Sequence, residues 1–396
     1  MRWVSSVSER PRLDAALAEV CMHAQRSLSG DRADLLLLFV SRHHLFDFGT
    51  IVAQLKDNFG PEIPIAGCSA AAILGSGGEL EDRPGIVLVA AHLPGVEVRV
   101  IHLANEELPA LDGSPQPWRQ RLNIDPQLHP AFIVLGEPFS CDVTRLLQGL
   151  DYAYPGSSIV GGMASGASGP GSNALFTPTG IESSGGLVVG LYGNVALDTI
   201  VAQGCKPIGH PIRVSDCSGN LVKELDGRPP REVLKELFEG LDEQDRERAR
   251  NALHLGVVMN EMRSEIGHGD FLIRNILGMD PQSGILAVGT PLRPGQTVQF
   301  HLRDRGTADH DLRALLERYV LTPPDSGPAG ALLFSCLGRG RGLYGEAHHD
   351  SRCFLERVGP VALGGFFCNG EIGPVAGSTY LHGYTSAFGI FRPRSG

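Results

Sequence analysis

The feature that most constrains this chain is one grammar written three times in order. An apolar strand leads to an amphipathic helix, the helix to a second strand ending in small residues, and further strands follow. The first copy reads LLLLFVS at Leu35–Ser41, a helix around Phe46–Phe59 with Ile51, Val52, Leu55 and Phe59 on one face, and PIAGCSA at Pro64–Ala70. GIVLVAAHL and VEVRVIHL then alternate in polarity, which predicts a hairpin across Pro94-Gly95. In the second copy AFIVLG at Ala131–Gly136 precedes a helix whose Val143, Leu146, Leu147, Leu150 and Tyr154 recur at helical spacing, then SIVGGMASG at Ser158–Gly166. GLVVGLYG and VALDTIVAQG supply its further strands. The third copy opens at ALLFSC, Ala331–Cys336, passes a glycine-rich turn and a short helical stretch near Ser351–Val358, and ends in VALGGFFCNGEIGP and LHGYTSAFGIF.

Between the second and third copies, Asp226–Asn251 reads as two helices. Pro229 and Pro230 suit a first turn, and Val233, Leu234, Leu237 and Phe238 form a stripe. Helices with one apolar stripe must cover something, while LLLLFV and GLVVGLYG look buried on both faces. The expected fold class is therefore α/β: two layered α/β domains, sheets packed together with outer helices, built from repeated strand-helix-strand units. Polar turn residues at Ser215–Asn220 place the boundary between domains 1–217 and 218–396.

A length of 396 residues suits two or three domains with room for a pocket, and 51 Gly with 27 Pro imply many tight turns. A formal charge of −10 without a dense Lys/Arg run argues against nucleic acid as a partner. The longest aliphatic or aromatic run, Leu35–Val40, is far short of the roughly 20 residues that span a bilayer, so no membrane partner is expected. The N-terminus lacks a signal-peptide core, which predicts a cytoplasmic protein. Eight scattered cysteines form no C-x-x-C pair, so neither a zinc knuckle nor a disulfide framework is indicated. The adjacent pairs His43-His44 and His348-His349 are not read as metal sites.

Several segments carry possible chemistry. In FSCLGRGRG a strand ends at Cys336, and Gly338, Gly340 and Gly342 alternate with Arg339 and Arg341. Such glycines let backbone approach a ligand, and the Arg339 fork suits a carboxylate. Glu371, on a constrained turn after an apolar strand, could take an ammonium group, so the two residues would match the ends of an amino acid; the alternative is that they pair with each other. Cys68-Ser69 and Met163-Ala164-Ser165 occupy matching strand ends, where α/β proteins place ligands or simply need tight packing. His382 could wall a pocket or ligate haem. No nucleophile elbow, Walker loop, zinc-protease motif or dinucleotide fingerprint is present, and no catalytic residue is assigned; a cysteine-dependent enzyme using Cys336 or Cys68 is the remaining enzymatic alternative.

These residues resemble the FIST family (F-box and intracellular signal transduction). DLLLLFVSRHH at Asp34–His44, IAGCSAAAIL and IVGGMASG are similar to parts of its N-terminal domain. FSCLGRG at Phe334–Gly340, GFFCNGEIGP at Gly365–Pro374 and LHGYT at Leu381–Thr385 occur in the order of its C-terminal domain, and bring Asn369 and Tyr384 into the candidate set. The cysteine in GFFCNGEIGP stands where an aromatic or polar residue is expected. The resemblance implies a sensory, signal-transducing module that binds a small ligand such as an amino acid, in the C-terminal domain or at its border with the first, without a cofactor. Some bacterial relatives are similar to haem-containing nitric-oxide sensors, which makes haem on His382 the alternative. No F-box-like segment precedes Asp34 and no kinase, cyclase or receiver domain is appended, so output is expected through a separate signalling protein, such as a kinase or a ubiquitin-type adaptor partner.

Overall fold

The computed structural model describes residues 1–263, 265–324 and 326–394. Its contacts divide the chain into two units, one of Met1–Val201, Leu312–Leu381 and Thr385 onward, the other of Ala202–Asp311 with His382–Tyr384.

The first unit holds all three repeats, each running β-α-β-α-β-β-β-β. Repeat one comprises β1 (Arg2–Ser8), α1 (Leu13–Leu28), β2 (Leu35–Ser41), α2 (Ile51–Phe59), β3 (Ile65–Ala70), β4 (Ile73–Gly75), β5 (Gly78–Leu80) and β6 (Ile86–His92). Repeat two comprises β7 (Val96–Leu103), α3 (Gln116–Leu122), β8 (Ala131–Gly136), α4 (Val143–Ala153), β9 (Ile159–Met163), β10 (Leu175–Thr177), β11 (Gly180–Glu182) and β12 (Gly186–Gly193). Repeat three begins at β13 (Ala196–Gln203) and is interrupted by the second unit. That unit contains β14 (Cys205–Ser218), β15 (Leu221–Leu225), α5 (Pro230–Gly240), α6 (Glu243–Ala252), β16 (Leu253–Val258), β17 (Phe271–Met279), β18 (Leu286–Val288) and β19 (Thr297–Arg303). Repeat three resumes through α7 (Arg305–Leu321), β20 (Gly330–Cys336), a short α8 (Arg341–Tyr344), α9 (His349–Val358), β21 (Ala362–Cys368), β22 (Glu371–Val375), β23 (Ser378–His382) and β24 (Thr385–Arg392).

Three six-stranded sheets result, ordered β1-β6-β2-β3-β10-β11, β7-β12-β8-β9-β22-β23 and β13-β24-β20-β21-β4-β5. In each, the central pair is parallel (β2 with β3, β8 with β9, β20 with β21). The last hairpin of each sheet comes from a different repeat, and the exchange is cyclic. Repeat one sends β4–β5 to the sheet of repeat three, three sends β22–β23 to two, and two sends β10–β11 to one.

Strand alternation explains the unbroken apolar runs. Leu35, Leu37 and Phe39 point into a core shared by all three sheets, together with Ile133, Leu135, Leu332, Phe334 and Phe366. Leu36, Leu38 and Val40 face outward into a second core with α1 and α2; Phe132 and Val134 do the same with α3 and α4. Phe39, Phe334 and Phe366 meet at the centre, with ring centroids 5.0 to 6.5 Å apart.

The mixed α/β class with sheets beneath outer helices is what the first unit shows. In the second, the strands close into a barrel ordered β14-β15-β18-β17-β16-β19, with Val233 of α5 and Ala249 of α6 packed against its apolar interior. The two helices expected in Asp226–Asn251 are α5 and α6; position 217/218 lies inside β14. Two local expectations are corrected. β6 and β7 do not form a hairpin: β6 is already paired on both sides by β1 and β2, so β7 has no free edge there and joins β12 in another sheet. The helix of repeat one starts at Ile51, not Phe46, because Arg42–Thr50 is 3-10 helical and Phe46 is 98% exposed. Among the described residues no helix is long and apolar enough to cross a membrane.

Candidate functional site

The three repeats meet at the ends of their third strands. Gly67, Gly161 and Gly365 occupy equivalent positions, since a Cβ on each would lie 2.0, 1.8 and 1.9 Å from the carbonyl oxygen of Leu38, Val134 and Leu333 on the neighbouring strand. Just beyond them, Ser165 donates its hydroxyl to the Phe367 carbonyl (2.5 Å) and accepts from the Ala71 amide (2.9 Å), joining all three repeats through one side chain. The Ser165 amide donates to the Ser69 carbonyl, and the Asn369 amide to that of Met163. Ser69 Oγ accepts from the Ala174 amide at 3.0 Å, locking the donated β10 in place. Both serines therefore hold the junction.

Registering the repeats on those glycines exposes what differs between them. Across from the shared glycine, repeat one presents Leu74, two presents Phe176 and three presents Ile372. The preceding residues are then Ile73, Leu175 and Glu371, so Glu371 places a carboxyl where the other repeats bury an aliphatic chain. It is fully buried. Its Oε2 accepts from the Thr385 amide (3.1 Å) and hydroxyl (2.8 Å), while Oε1 has no hydrogen-bond partner among the described residues. Burial pushes its pKa up to about 8, against the Thr385 hydrogen bonds and the charge of Arg339, which pull it down.

Arg339 follows β20, inside the glycine-rich turn, and is 1% exposed. It pairs not with Glu371 but with Asp350 in the first turn of α9: Nε donates to Oδ2 at 2.7 Å and Nη2 to Oδ1 at 3.0 Å. This is the bidentate geometry that a planar guanidinium favours. Asp350 also accepts from Ser335 Oγ (3.1 Å), His349 Nδ1 (3.0 Å) and the Ser386 hydroxyl. Burial alone would raise its pKa; the Arg339 charge and these donors hold it well below the usual carboxylate range. Arg339 Nη2 also donates to the Tyr344 hydroxyl at 2.6 Å, whereas Nη1 has no partner among the described residues. His349 stacks on Tyr344 with ring centroids 3.4 Å apart. Burial lowers its pKa, but the bonds to Asp350 and Cys353 outweigh that and raise it to about 10, so the cluster around one carboxylate holds two cations.

The donated hairpin of repeat one closes this cluster. Glu79 of β5 accepts from the Ser351 amide at 2.9 Å, at the N-terminus of α9, and its own amide donates to His348 Nδ1 at 2.7 Å. Burial and the nearby Asp350 push its pKa up to about 7.

Of the residues expected from sequence, Arg339, Glu371, Cys336, Asn369, Cys68, Ser69 and Ser165 belong to the first unit, and His382 and Tyr384 to the second. There Tyr384 packs on His254 at 4.2 Å and lies under Arg303. Cys336 is half-buried and Asn369 exposed. Cys68 is fully buried, and burial pushes its thiol far above the ordinary range, which disfavours the thiolate a nucleophile needs. His382 is 2% exposed.

Sequence reading missed Asp350, His349, Ser335, Ser386, Tyr344, Thr385 and Glu79. A carboxylate opening a helix, as in HHDSRCF, is the signal for Asp350; nothing in the sequence brings Glu79, some 270 residues away, to the same helix. Glu137 was missed too. It follows β8 at the position of Ser41 and Cys336, is buried, and accepts from Asn173 Nδ2, Ser140 Oγ and the Phe139 amide.

Comparison with known proteins matches the FIST N domain at residues 34–228 and the FIST C domain at residues 230–374. The uncharacterized protein MT0656 of Mycobacterium tuberculosis is 35% identical over 391 residues, covering 99% of this chain and 100% of its own. The uncharacterized protein Mb0898c of Mycobacterium bovis is 34% identical over 391 residues, 99% of each chain. The F-box/LRR-repeat protein At5g63520 of Arabidopsis thaliana is 28% identical over 132 residues, 30% of this chain and 25% of its own. With both domains matched in order and the two mycobacterial relatives aligned over nearly their full length, the chain belongs to the FIST family.

Proposed function

We propose that this protein is a small-molecule-binding sensory protein whose ligand is an amino acid or a similar small polar metabolite, held beside Arg339 and Glu371. The observation that carries the reading is that Arg339 Nη1 and Glu371 Oε1 are both buried without a hydrogen-bond partner among the described residues, in a cluster where Asp350 is fully engaged. An orphaned buried polar group costs about 1–3 kcal/mol, so a conformation that gives both a partner is favoured once a ligand supplies it. A ligand carboxylate would accept from Nη1 and its ammonium would sit on Glu371.

Both atoms are closed to solvent here, so binding requires the glycine-rich turn after β20 to move. Gly340, with a φ of 61°, gives that turn a conformation other residues avoid, and Gly345, with a φ of 76°, does the same just after α8. A ligand that binds only the opened form shifts the balance between the two states, which is the physical content of sensing. The output passes to a separate signalling protein, and the chain acts by binding rather than turnover. Haem on His382 is the alternative reading, as is catalysis by a cysteine, for which the raised thiol of buried Cys68 makes that residue the poorer candidate of Cys336 and Cys68.

Calorimetry against the amino acids tests this. A bound ammonium requires ionised Glu371, so binding at pH 7 should release a proton and affinity should rise with pH until about 8. Glu371→Gln should cost at least tenfold in affinity and abolish the proton release. Absence of binding by every amino acid, or a ligand bound equally well by the folded Glu371→Gln variant, would overturn the reading.

A further inference from the structure

The second unit has a cavity of its own. On β14 the pairing with β19 breaks between Ile208 and Ile212, and Gly209 turns there with a φ of 64°. Between this bulge and α5 lies a cavity of about 300 Å³ lined by Ile208, Ile212, Val233, Leu237 and Phe300, with His210, Arg228 and Glu236 as its polar residues. Its floor is buried, with Val233 5% and Phe300 1% exposed, while Leu237 and Leu241 are half-buried. The polar end is open: Arg228 Nη1 and Glu236 Oε2 pair at 2.7 Å with side chains 44% and 65% exposed. The cavity thus has an apolar body and a polar mouth, the general form of a small-molecule site.

We propose that this cavity binds an uncharged, apolar-bodied small molecule with one hydroxyl or amide at its end. Volume sets the body. An engineered apolar cavity of about 150 Å³ takes up benzene, so roughly twice that space suits a bicyclic ring or a short alkyl chain. The mouth sets the head group. An ion pair carries no net charge, and a hydroxyl can accept from Arg228 while donating to Glu236; an ionised head would have to displace one partner of the pair. Leu237 of α5 lies against the bulge, its Cδ1 2.9 Å from where a Cβ on Gly209 would stand. None of these residues belongs to the Arg339–Glu371 cluster.

The test is a fluorescence titration of the full chain at pH 7 with 1-naphthol, beside 1-naphthoate and 1-naphthylmethylamine. Saturable one-to-one binding of 1-naphthol is expected, with both charged analogues at least tenfold weaker. Leu237→Trp, which fills the space, should weaken 1-naphthol at least tenfold with an unchanged circular dichroism spectrum. Because that substitution could disturb packing, Arg228→Leu at the exposed mouth is the second variant, expected to lose threefold to tenfold for 1-naphthol and to leave the melting temperature unmoved. No saturable binding, charged analogues bound as tightly as 1-naphthol, or both variants binding like the wild type would each overturn the assignment.

Discussion

At Glu371 a single substitution relative to its own internal repeats converts core into chemistry. Ile73 and Leu175 fill the equivalent positions with aliphatic carbon, while Glu371 brings a carboxyl that burial keeps protonated up to about pH 8. The sign of its effect on stability follows from that shift. In the unfolded chain Glu371 ionises near its ordinary pKa of about 4.3, so between there and about 8 the folded state binds more protons, and stability falls as pH rises through this window. Glu371→Gln cannot ionise and removes that slope. Relative to wild type it should gain on the order of 2–4 kcal/mol between about pH 5 and pH 8, with no further change above. Urea unfolding of both proteins across this range checks it, and a parallel pair of curves would mean that Glu371 is ionised in the fold. Arg339 and Glu371 are both readable in the sequence as odd residues in glycine-rich turns. The pairing with their partners is not, because Asp350, Ser386 and Thr385 become their neighbours only when β20, α9 and β24 pack together.

At the scale of elements, three glycines decide whether the strands can close. Gly67, Gly161 and Gly365 let the third strand of each repeat lie against a carbonyl of the second, at a distance no Cβ tolerates. Gly161→Ala would put a methyl 1.8 Å from the Val134 carbonyl oxygen and is expected to cost about 3 kcal/mol or more, or to prevent folding. Gly49→Ala, with nothing within 4 Å of the new Cβ, should stay within about 0.5 kcal/mol of wild type. Thermal denaturation of the pair separates the effects, and equal losses would contradict the close approach. The G-C-S and G-G-M ends of the first two repeats are visible in the sequence as small residues ending strands. That their small size serves main-chain contact rather than ligand contact is a matter of packing: Ser69 and Ser165 spend their hydroxyls on neighbouring backbone.

For the whole molecule, cyclic exchange of hairpins means that no repeat completes its own sheet. A fragment of residues 1–92 contains β1 to β6 yet lacks the β10–β11 edge of its sheet, and its own β4–β5 hairpin has no β21 to pair with. Such a fragment is expected to show neither cooperative unfolding nor dispersed amide resonances, as non-local pairing must be complete before burial offsets chain entropy. A cooperative melt of this fragment would refute the interdependence. The sequence by itself determined the alternating elements, the threefold repetition, the two charged helices of the middle segment and the family, because periodicity and local motifs are properties of neighbouring residues. The tertiary structure alone decided which strands share a sheet, that β6 and β7 part company, that β14 to β19 close into a barrel, and that Arg339 meets Asp350 instead of Glu371. Those outcomes depend on which strand edges are still free and on which buried charge lies within hydrogen-bond reach, and both are set by how whole elements pack rather than by neighbouring residues.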